Sequence, residues 1–126
     1  MSVKSVEELQ VYQKSLDAGD ALFAIVQRGT FRSDLDMERQ LMKGARRIPS
    51  DISEGFEQKT DVHFAHYLYI ARGAAREICS QMAVARRRGL VSDSQRFDIV
   101  GRYDEIARML TGLIKYLEDS DWDHRG

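Results

Sequence analysis

The sequence has few of the residues that interrupt or cross-link a chain: 126 residues contain one proline, Pro49, and one cysteine, Cys79. A single cysteine excludes an intramolecular disulfide framework and is typical of proteins in a reducing compartment. No apolar run approaches the roughly 20 residues that span a bilayer, and the first residues lack the apolar segment of a signal peptide. We therefore expect a cytoplasmic protein, in which a single proline leaves room for long helices.

An excess of charge of one sign is also missing. The chain has 19 lysines and arginines against 20 acidic residues, which gives a formal net charge of -1 and a pI near 6.3. Nucleic-acid-binding domains are usually clearly basic, so the net charge does not indicate one. The length is that of one domain with its own core, and we expect residues 1–126 to form it.

Apolar residues recur at spacings of three and four along most of the chain, which is the pattern of amphipathic helices. Capping signals and glycines divide this pattern into four helices, at about residues 6–28, 34–58, 61–88 and 93–118. No segment alternates in the manner of a strand. Four such helices with short loops predict an all-α fold, an antiparallel up-down four-helix bundle. We expect the polar tail after Leu117 to fray.

The first predicted helix carries apolar residues on more than one face. One stripe consists of Leu9, Tyr12, Leu16, Gly19, Phe23 and Val26. A second stripe beside it consists of Val11, Ala18, Leu22 and Ile25. Three residues of that second stripe (Val11, Leu22, Ile25) and three of the third helix (Tyr67, Tyr69, Ile70) lie off the narrow core-facing stripes. This surplus indicates a surface for association, and a thicker core is the alternative.

The second predicted helix contains Pro49. Its apolar rhythm, Leu41, Ala45, Ile48, Ile52 and Gly55 or Phe56, continues in phase across the proline. An interior proline loses one hydrogen bond and clashes with the carbonyl four residues back, here Ala45. The preserved phase predicts one long helix kinked near Ala45 to Pro49. The alternative is a break, with Pro49 at the first position of a new helix.

Residues with catalytic or metal-binding potential are scattered. His63 and His66 are one turn apart, but the Glu-x-x-His pairs of di-iron bundles are missing, and surface histidines are the better interpretation. Cys79 adjoins an apolar stripe and reads as a small buried hydrophobe. We expect Glu54 and Glu77 to pair with Arg72 or Arg76. The sequence therefore predicts no enzyme, no metal and no cofactor.

Basic residues are concentrated in two segments. The first contains Arg39, Lys43, Arg46 and Arg47 with no acid between them, at spacings that share one helix face. The second contains Arg86, Arg87 and Arg88 at the end of the third helix, where cations also favour the helix dipole. One interpretation is a solvated face with dipole partners. The other is a surface that contacts nucleic-acid phosphates, without the aromatic residues that would stack bases.

Two segments are more specific than periodicity. They are residues 46–56, Arg-Arg-Ile-Pro-Ser-Asp-Ile-Ser-Glu-Gly-Phe, and residues 64–77, Phe-Ala-His-Tyr-Leu-Tyr-Ile-Ala-Arg-Gly-Ala-Ala-Arg-Glu. With Val-Tyr-Gln-Lys at residues 11–14, the chain resembles the bacterial four-helix bundle family named for the 23S rRNA intervening sequence. The accessory variability determinant of diversity-generating retroelements looks like a relative. The signature residues are Ile48, Pro49, Ser50, Ile52, Glu54, Gly55, Phe56, Tyr69, Ile70 and Gly73.

The resemblance implies an up-down bundle that assembles into a ring-shaped homopentamer. The retroelement relative is a basic, nucleic-acid-binding partner of a reverse transcriptase, and this role maps onto Arg39, Lys43, Arg46 and Arg47. The near-neutral pI and the acids Asp51 and Glu57 depart from that basic character. Two functions therefore compete: a homo-oligomeric scaffold for RNA, DNA or a nucleic-acid-handling protein, and a protein-interaction module without nucleic-acid affinity.

Overall fold

The chain folds into four long α-helices preceded by one turn of 3-10 helix. The computed structural model describes the backbone of residues 2–125 and the side chains of residues 2–119. The 3-10 turn is Val6–Glu8, and the helices are α1 (Gln10–Val26), α2 (Leu35–Phe56), α3 (Asp61–Arg87) and α4 (Asp93–Arg125). The described backbone contains no strand, which confirms the predicted all-α class. Among the described residues, no helix combines the length and apolar character needed to cross a membrane.

The helices are arranged in cyclic order around one core. Each helix packs against the next along the chain and α4 closes against α1, whereas the described parts of the diagonal pairs, α1–α3 and α2–α4, have no Cα atoms within 8 Å of each other. This order with short connections is the up-down bundle that the periodicity predicts. The largest fully buried side chains belong to all four helices and the first loop: Tyr103, Phe31, Leu22, Leu41, Ile48, Ile52, Leu68, Ile78, Met82, Ile99, Ile106 and Leu110.

Helix α2 is unbroken through Pro49. The helix spans Leu35–Phe56 with the proline inside it, so the prediction of one helix is confirmed and the predicted alternative, a break, is wrong. The stripe residues Leu41, Ala45, Ile48 and Ile52 are all buried. Because Pro49 has no N–H, the Ala45 carbonyl loses its donor within the helix. That carbonyl oxygen points toward α1, 3.9 Å from where a Cβ on Gly19 would sit.

The residues predicted for the surplus surface of α1 are wrong: Val11, Leu22 and Ile25 are buried, and the exposed apolar side chains of α1 come from the other stripe. Ala18 and Leu22 are 0% exposed, whereas Leu16 is 39% and Phe23 is 48% exposed. The polar Ser15 interrupts the buried stripe in sequence, which makes it look like the poorer core face. In the structure Ser15 is fully buried, and its hydroxyl donates to the Tyr12 carbonyl at 2.7 Å. This bond removes most of the cost of burying the hydroxyl, so a serine is tolerated in the core.

Side chains cap the first turns of α2 and α3, and α4 ends later than predicted. The Asp34 carboxylate accepts from the Met37 N–H at 3.1 Å, and the Thr60 hydroxyl accepts from the His63 N–H at 3.2 Å. Helix α4 continues to Arg125, beyond the predicted end near residue 118, and fraying of the tail after Leu117 stays a prediction. No glycine or proline lies between residues 113 and 125, and extending a formed helix by one residue is far easier than starting one.

Candidate functional site

The outer face of α2 carries the first group of predicted cations. Arg39, Lys43, Arg46 and Arg47 are all exposed. They lie opposite the buried stripe of the same helix, because a 3.6-residue repeat that buries one face presents the other to solvent. From Arg39 to Arg47 the helix rises about 12 Å. We call these four residues the α2 basic face.

Two of these cations have acidic neighbours on the same helix. Arg39 Nη2 lies 2.6 Å from Asp36 Oδ1, and Arg47 Nε lies 3.3 Å from Asp51 Oδ2. Desolvation by burial raises the pKa of Asp51, and the charge of Arg47 partly opposes that rise. Among the described residues, Lys43 and Arg46 form no ion pair. Within the α2 basic face, Arg39 and Arg47 are therefore paired with acids, whereas Lys43 and Arg46 are free to contact another molecule.

The α2 basic face borders two different grooves. Lys43 and Arg47 line a groove of about 240 Å³ between α2 and α3, where Gln81 Nε2 donates to Gln40 Oε1 at 2.8 Å. Arg46 lines a groove of about 190 Å³ between α1 and α2. The walls of that second groove are mostly apolar: Leu16, Gly19, Phe23, Met42, Ala45 and Pro49. The first groove is the more polar of the two, since Gln40 and Gln81 lie there beside Lys43 and Arg47.

The second predicted cluster, Arg86 to Arg88, does not form one patch. Arg86 pairs with Asp93 at the start of α4, and this contact lowers the pKa of the Asp93 carboxyl. Arg88 Nη1 points to the start of α2, 2.7 Å from Asp34 Oδ2. Two of the three guanidiniums thus join neighbouring helix ends. Because Asp93 and Asp34 neutralise these two guanidiniums, the cluster does not extend the positive charge of the α2 basic face.

The buried half of the predicted signature packs α2 against α3. Ile48, Ile52 and Gly55 are buried. A Cβ on Gly55 would lie 2.9 Å from Phe64 Cδ1 and 2.9 Å from Tyr67 Cβ. The ring of Phe56 meets that of Phe64 edge to face, with centroids 6.0 Å apart. These residues therefore have a packing role, and the other α2 members differ in exposure: Pro49 is half-buried, while Ser50 and Glu54 are exposed.

The α3 half of the signature belongs to a polar network with α4. The Tyr69 hydroxyl donates to Glu118 Oε1 at 2.8 Å, and this hydrogen bond raises the pKa of Tyr69. The Arg72 guanidinium lies 4.9 Å from the centroid of the Tyr69 ring, and its Nη1 donates to Thr111 Oγ1 at 3.1 Å. The expected pairing of Arg72 with Glu54 or Glu77 is therefore wrong. Ile70 is half-buried, and Gly73 is exposed with open space around it.

The described residues offer little for metal or thiol chemistry. They contain no group of three or more histidine, cysteine, aspartate or glutamate side chains able to hold a metal ion. His63 and His66 are exposed, and His63 Nδ1 lies 2.9 Å from the Thr60 hydroxyl. Cys79 is half-buried with its Sγ 3.8 Å from the Val100 carbonyl. Burial raises the pKa of this thiol, so it stays protonated near neutral pH, whereas a nucleophilic cysteine needs a lowered pKa.

The sequence interpretation missed the exposed apolar side chains. Phe97 in α4 is 83% exposed, and it is followed by the half-buried Val100 and the exposed Gly101. Phe23 and Leu16 border the groove between α1 and α2. The sequence did carry a signal for Phe97, since this residue does not fit the three-and-four spacing of the other apolar residues in α4. No comparable signal marks Phe23, because both stripes of α1 are apolar.

A solved structure has the same fold. A protein of unknown function of the S23 ribosomal protein family from Bacteroides thetaiotaomicron superposes with a TM-score of 0.75. The match covers 83% of this chain and 98% of that chain at 21% sequence identity. No curated protein matches the sequence.

The family is shown by the sequence itself. The profile of the family described as 23S rRNA-intervening sequence protein matches residues 7–112. This range contains the α2 basic face, both signature segments, α1 to α3 and α4 as far as residue 112. The family description names no reaction. The chain belongs to the 23S rRNA-intervening sequence protein family.

Proposed function

We propose that the protein is a non-enzymatic, self-associating helical scaffold whose α2 basic face contacts the phosphate backbone of RNA or DNA. The observation that carries the proposal is the segment from Arg39 to Arg47, about 12 Å of exposed helix with four cations and no acid. The resemblance to the retroelement accessory protein inferred from the sequence motifs, which implies nucleic-acid binding, is a further argument for it. That likeness also supports a ring of five copies, in which one face per subunit would repeat around an axis.

The ion pairs on this face do not prevent phosphate contact. The Arg39–Asp36 pair is exposed on both sides, and exposed pairs contribute only about 0–1 kcal/mol. A phosphate can therefore replace the carboxylate. Lys43 and Arg46 have no carboxylate partner that a phosphate would have to replace. A ring would concentrate these charges, so that a near-neutral chain could present a basic surface.

The test combines light scattering with binding of a fluorescently labelled duplex at low and moderate salt. The double variant Lys43→Ala/Arg46→Ala should weaken binding and reduce the slope of log K against log salt by about two, roughly one per lost phosphate contact. The control Lys59→Ala/Lys115→Ala removes the same charge from the α2–α3 loop and from α4, and should change the slope much less. Equal slopes for the two double variants would disprove a role for the α2 basic face.

A second candidate function is a protein-interaction scaffold without nucleic-acid affinity. The specific observation in its favour is that Arg39, Arg47, Arg86 and Arg88 all have carboxylate partners within the chain. This candidate predicts an assembled protein that fails to bind the duplex even at low salt. A monomer at every concentration would contradict the self-associating scaffold and leave the protein-interaction module as the better account.

A further inference from the structure

The groove between α2 and α3 has an apolar floor and a polar rim. At the floor the two helices approach closely, since a Cβ on Gly44 would lie 3.3 Å from the buried Ile78 Cδ1. The polar side chains of the rim are Gln40, Lys43, Arg47, Glu77 and Gln81. The volume of about 240 Å³ is below the roughly 300–1,000 Å³ of sites that enclose a whole small ligand. The groove is therefore sized for one unit of a larger ligand.

A pair of hydrogen-bonded amides forms one end of this groove. Gln40 is the first α2 residue along it and Gln81 is the last α3 residue. Gln81 Nε2 donates to Gln40 Oε1 at 2.8 Å. Since an amide side chain has two N–H donors and a carbonyl acceptor, the pair keeps the NH2 group of Gln40 and the carbonyl oxygen of Gln81 for other partners. This end therefore offers a neutral donor beside a neutral acceptor.

Charged groups line the remainder of the groove. Lys43 is one helical turn from Gln40 and forms no ion pair among the described residues. Arg47 is one turn farther and uses its Nε toward Asp51, so its two Nη groups can still donate to an anion. Glu77 adds a carboxylate from α3. A purely anionic ligand would be repelled by Glu77, whereas a ligand with an anionic group and a neighbouring O–H group finds partners for both.

The groove offers nothing on which a nucleic-acid base would stack, because no aromatic side chain occurs among the described residues that line it. A nucleic acid would therefore meet it through the sugar and the phosphate. The ribose of RNA carries a 2′-hydroxyl, which both donates and accepts a hydrogen bond, next to a phosphate. The deoxyribose of DNA lacks that hydroxyl. The amide pair matches the hydroxyl, and the cations one and two turns away match the phosphates.

From these observations we infer that the α2–α3 groove binds a ribose-phosphate unit of RNA. The 2′-hydroxyl lies between the amides of Gln40 and Gln81, and Lys43 and Arg47 contact the adjoining phosphates. The inference rests on the proposed phosphate contact of the α2 basic face and makes it selective for RNA over DNA. The net effect of a hydrogen bond to the hydroxyl corresponds to a preference of about two- to tenfold.

The test compares three labelled duplexes of one sequence at the same salt concentration: RNA, DNA, and RNA with fluorine in place of each 2′-hydroxyl. The fluorinated duplex keeps the A-form shape of RNA but cannot donate from the 2′ position. The full-length protein should bind RNA about two- to tenfold more tightly than the other two duplexes. The double variant Gln40→Ala/Gln81→Ala should lose this preference. Its slope of log K against log salt should stay unchanged, because no phosphate contact is removed.

The matched control removes two amides from another helix. Gln10→Ala/Gln27→Ala alters exposed positions at the start and just beyond the end of α1, and it should keep the preference for RNA. Far-UV circular dichroism verifies that each variant is folded. If the double variant at the groove unfolds, Gln40→Ala alone replaces it, since Gln40 is exposed.

The other outcomes separate this inference from the proposed function. If no duplex binds even at low salt, the phosphate contact is wrong and the inference falls with it. If RNA and DNA bind equally, the phosphate contact stands and the hydroxyl contact is wrong. If the fluorinated duplex binds as tightly as RNA, the preference comes from the shape of the duplex and the inference is overturned. It is also overturned if the variant without the amide pair keeps the preference.

Discussion

The α2–α3 contact and the α1–α2 contact are built in different ways. At the first, Gly55 lies so close to Phe64 and Tyr67 that a Cβ would come within 2.9 Å of both. At the second, a Cβ on Gly19 would find Ala45 at 3.9 Å, an ordinary van der Waals distance. The first contact is filled at Gly55, and the groove farther along it is lined mainly by polar side chains, whereas the second contact leaves apolar side chains beside its groove.

The difference shows how one bundle can separate stability from interaction. The signature residues at the filled end of the first contact are occupied inside the chain, so their specificity concerns packing between α2 and α3. The side chains left open to another molecule lie beside the two grooves, mainly polar at the first contact and apolar at the second. Four comparisons test this division, from the largest expected effect to the smallest.

The largest difference in the free energy of unfolding should appear when two adjacent residues of α1 are truncated. Leu22→Ala removes a side chain that is 0% exposed and should lower the free energy of unfolding by about 2–5 kcal/mol. Phe23→Ala removes one that is 48% exposed and should change it by less than about 0.5 kcal/mol. Urea unfolding at high dilution, where copies do not associate, measures both. Equal losses would mean that α1 does not bury the face described above.

Glycine-to-alanine variants compare the two contacts directly. Gly55→Ala forces a methyl group against Phe64 and Tyr67 and should destabilise the fold by about 1–3 kcal/mol. Gly19→Ala has room for its methyl group and should be neutral or stabilising, by up to about 1 kcal/mol from helix propensity. Gly73→Ala, where a Cβ meets nothing within 4 Å, gives the propensity gain alone. A destabilised Gly19→Ala would show that the α1–α2 contact is as tight as the α2–α3 contact at Gly55.

Removal of either of two fully buried hydroxyls should change the stability of the fold, and the two changes should have opposite signs. Tyr103 in α4 has no hydrogen-bond partner for its hydroxyl among the described residues, so Tyr103→Phe should stabilise the fold by about 1 kcal/mol. The Ser15 hydroxyl is bonded to the Tyr12 carbonyl, so Ser15→Ala should cost up to about 1 kcal/mol. Thermal unfolding of the two variants measures the signs. A destabilised Tyr103→Phe would reveal a partner for that hydroxyl.

Tyr103 should also make stability fall at high pH. Burial raises the pKa of Tyr103 above its ordinary value, which is about 10. Above that pH the unfolded chain loses the proton while the folded chain keeps it, so the unfolded state binds fewer protons and stability decreases as pH rises. Comparison of Tyr103→Phe with the unaltered protein between pH 9 and about 11 isolates this part. Parallel pH profiles would contradict it.

The sequence was sufficient to predict the buried face of those helices whose apolar residues lie on one side. In α2 the predicted stripe from Leu41 to Ile52 is buried despite Pro49, because the helix continues through the proline and keeps its periodicity. In α3 every predicted stripe residue is buried: Phe64, Leu68, Ala71, Ala75, Ile78, Met82 and Ala85. The shared face of Arg39, Lys43 and Arg46 was likewise readable, since residues opposite a core stripe are exposed.

The candidate site was only partly readable. The acids beside Arg39 and Arg47 lie three and four residues away on the same helix, whereas partners of other basic residues come from other parts of the chain. The runs of basic residues were visible, but Arg88 meets Asp34 from the start of α2, a separation in sequence that no spacing rule connects. Arg72 was expected to meet a glutamate and instead stacks on Tyr69 and bonds to Thr111. The packing of the helix ends therefore decided which cations of a basic run have an acidic partner and which do not.

Local sequence determined the number of helices, their caps and the core faces of α2 and α3, because hydrogen bonding within a helix and a 3.6-residue repeat are set by neighbours in the chain. Only the tertiary structure decided which stripe of α1 is buried. Both stripes are apolar, and the choice depends on where α2 and α4 lie and on whether Ser15 finds an acceptor. The same packing left Leu16 and Phe23 exposed, since positions across a bundle are fixed by how its helices are arranged.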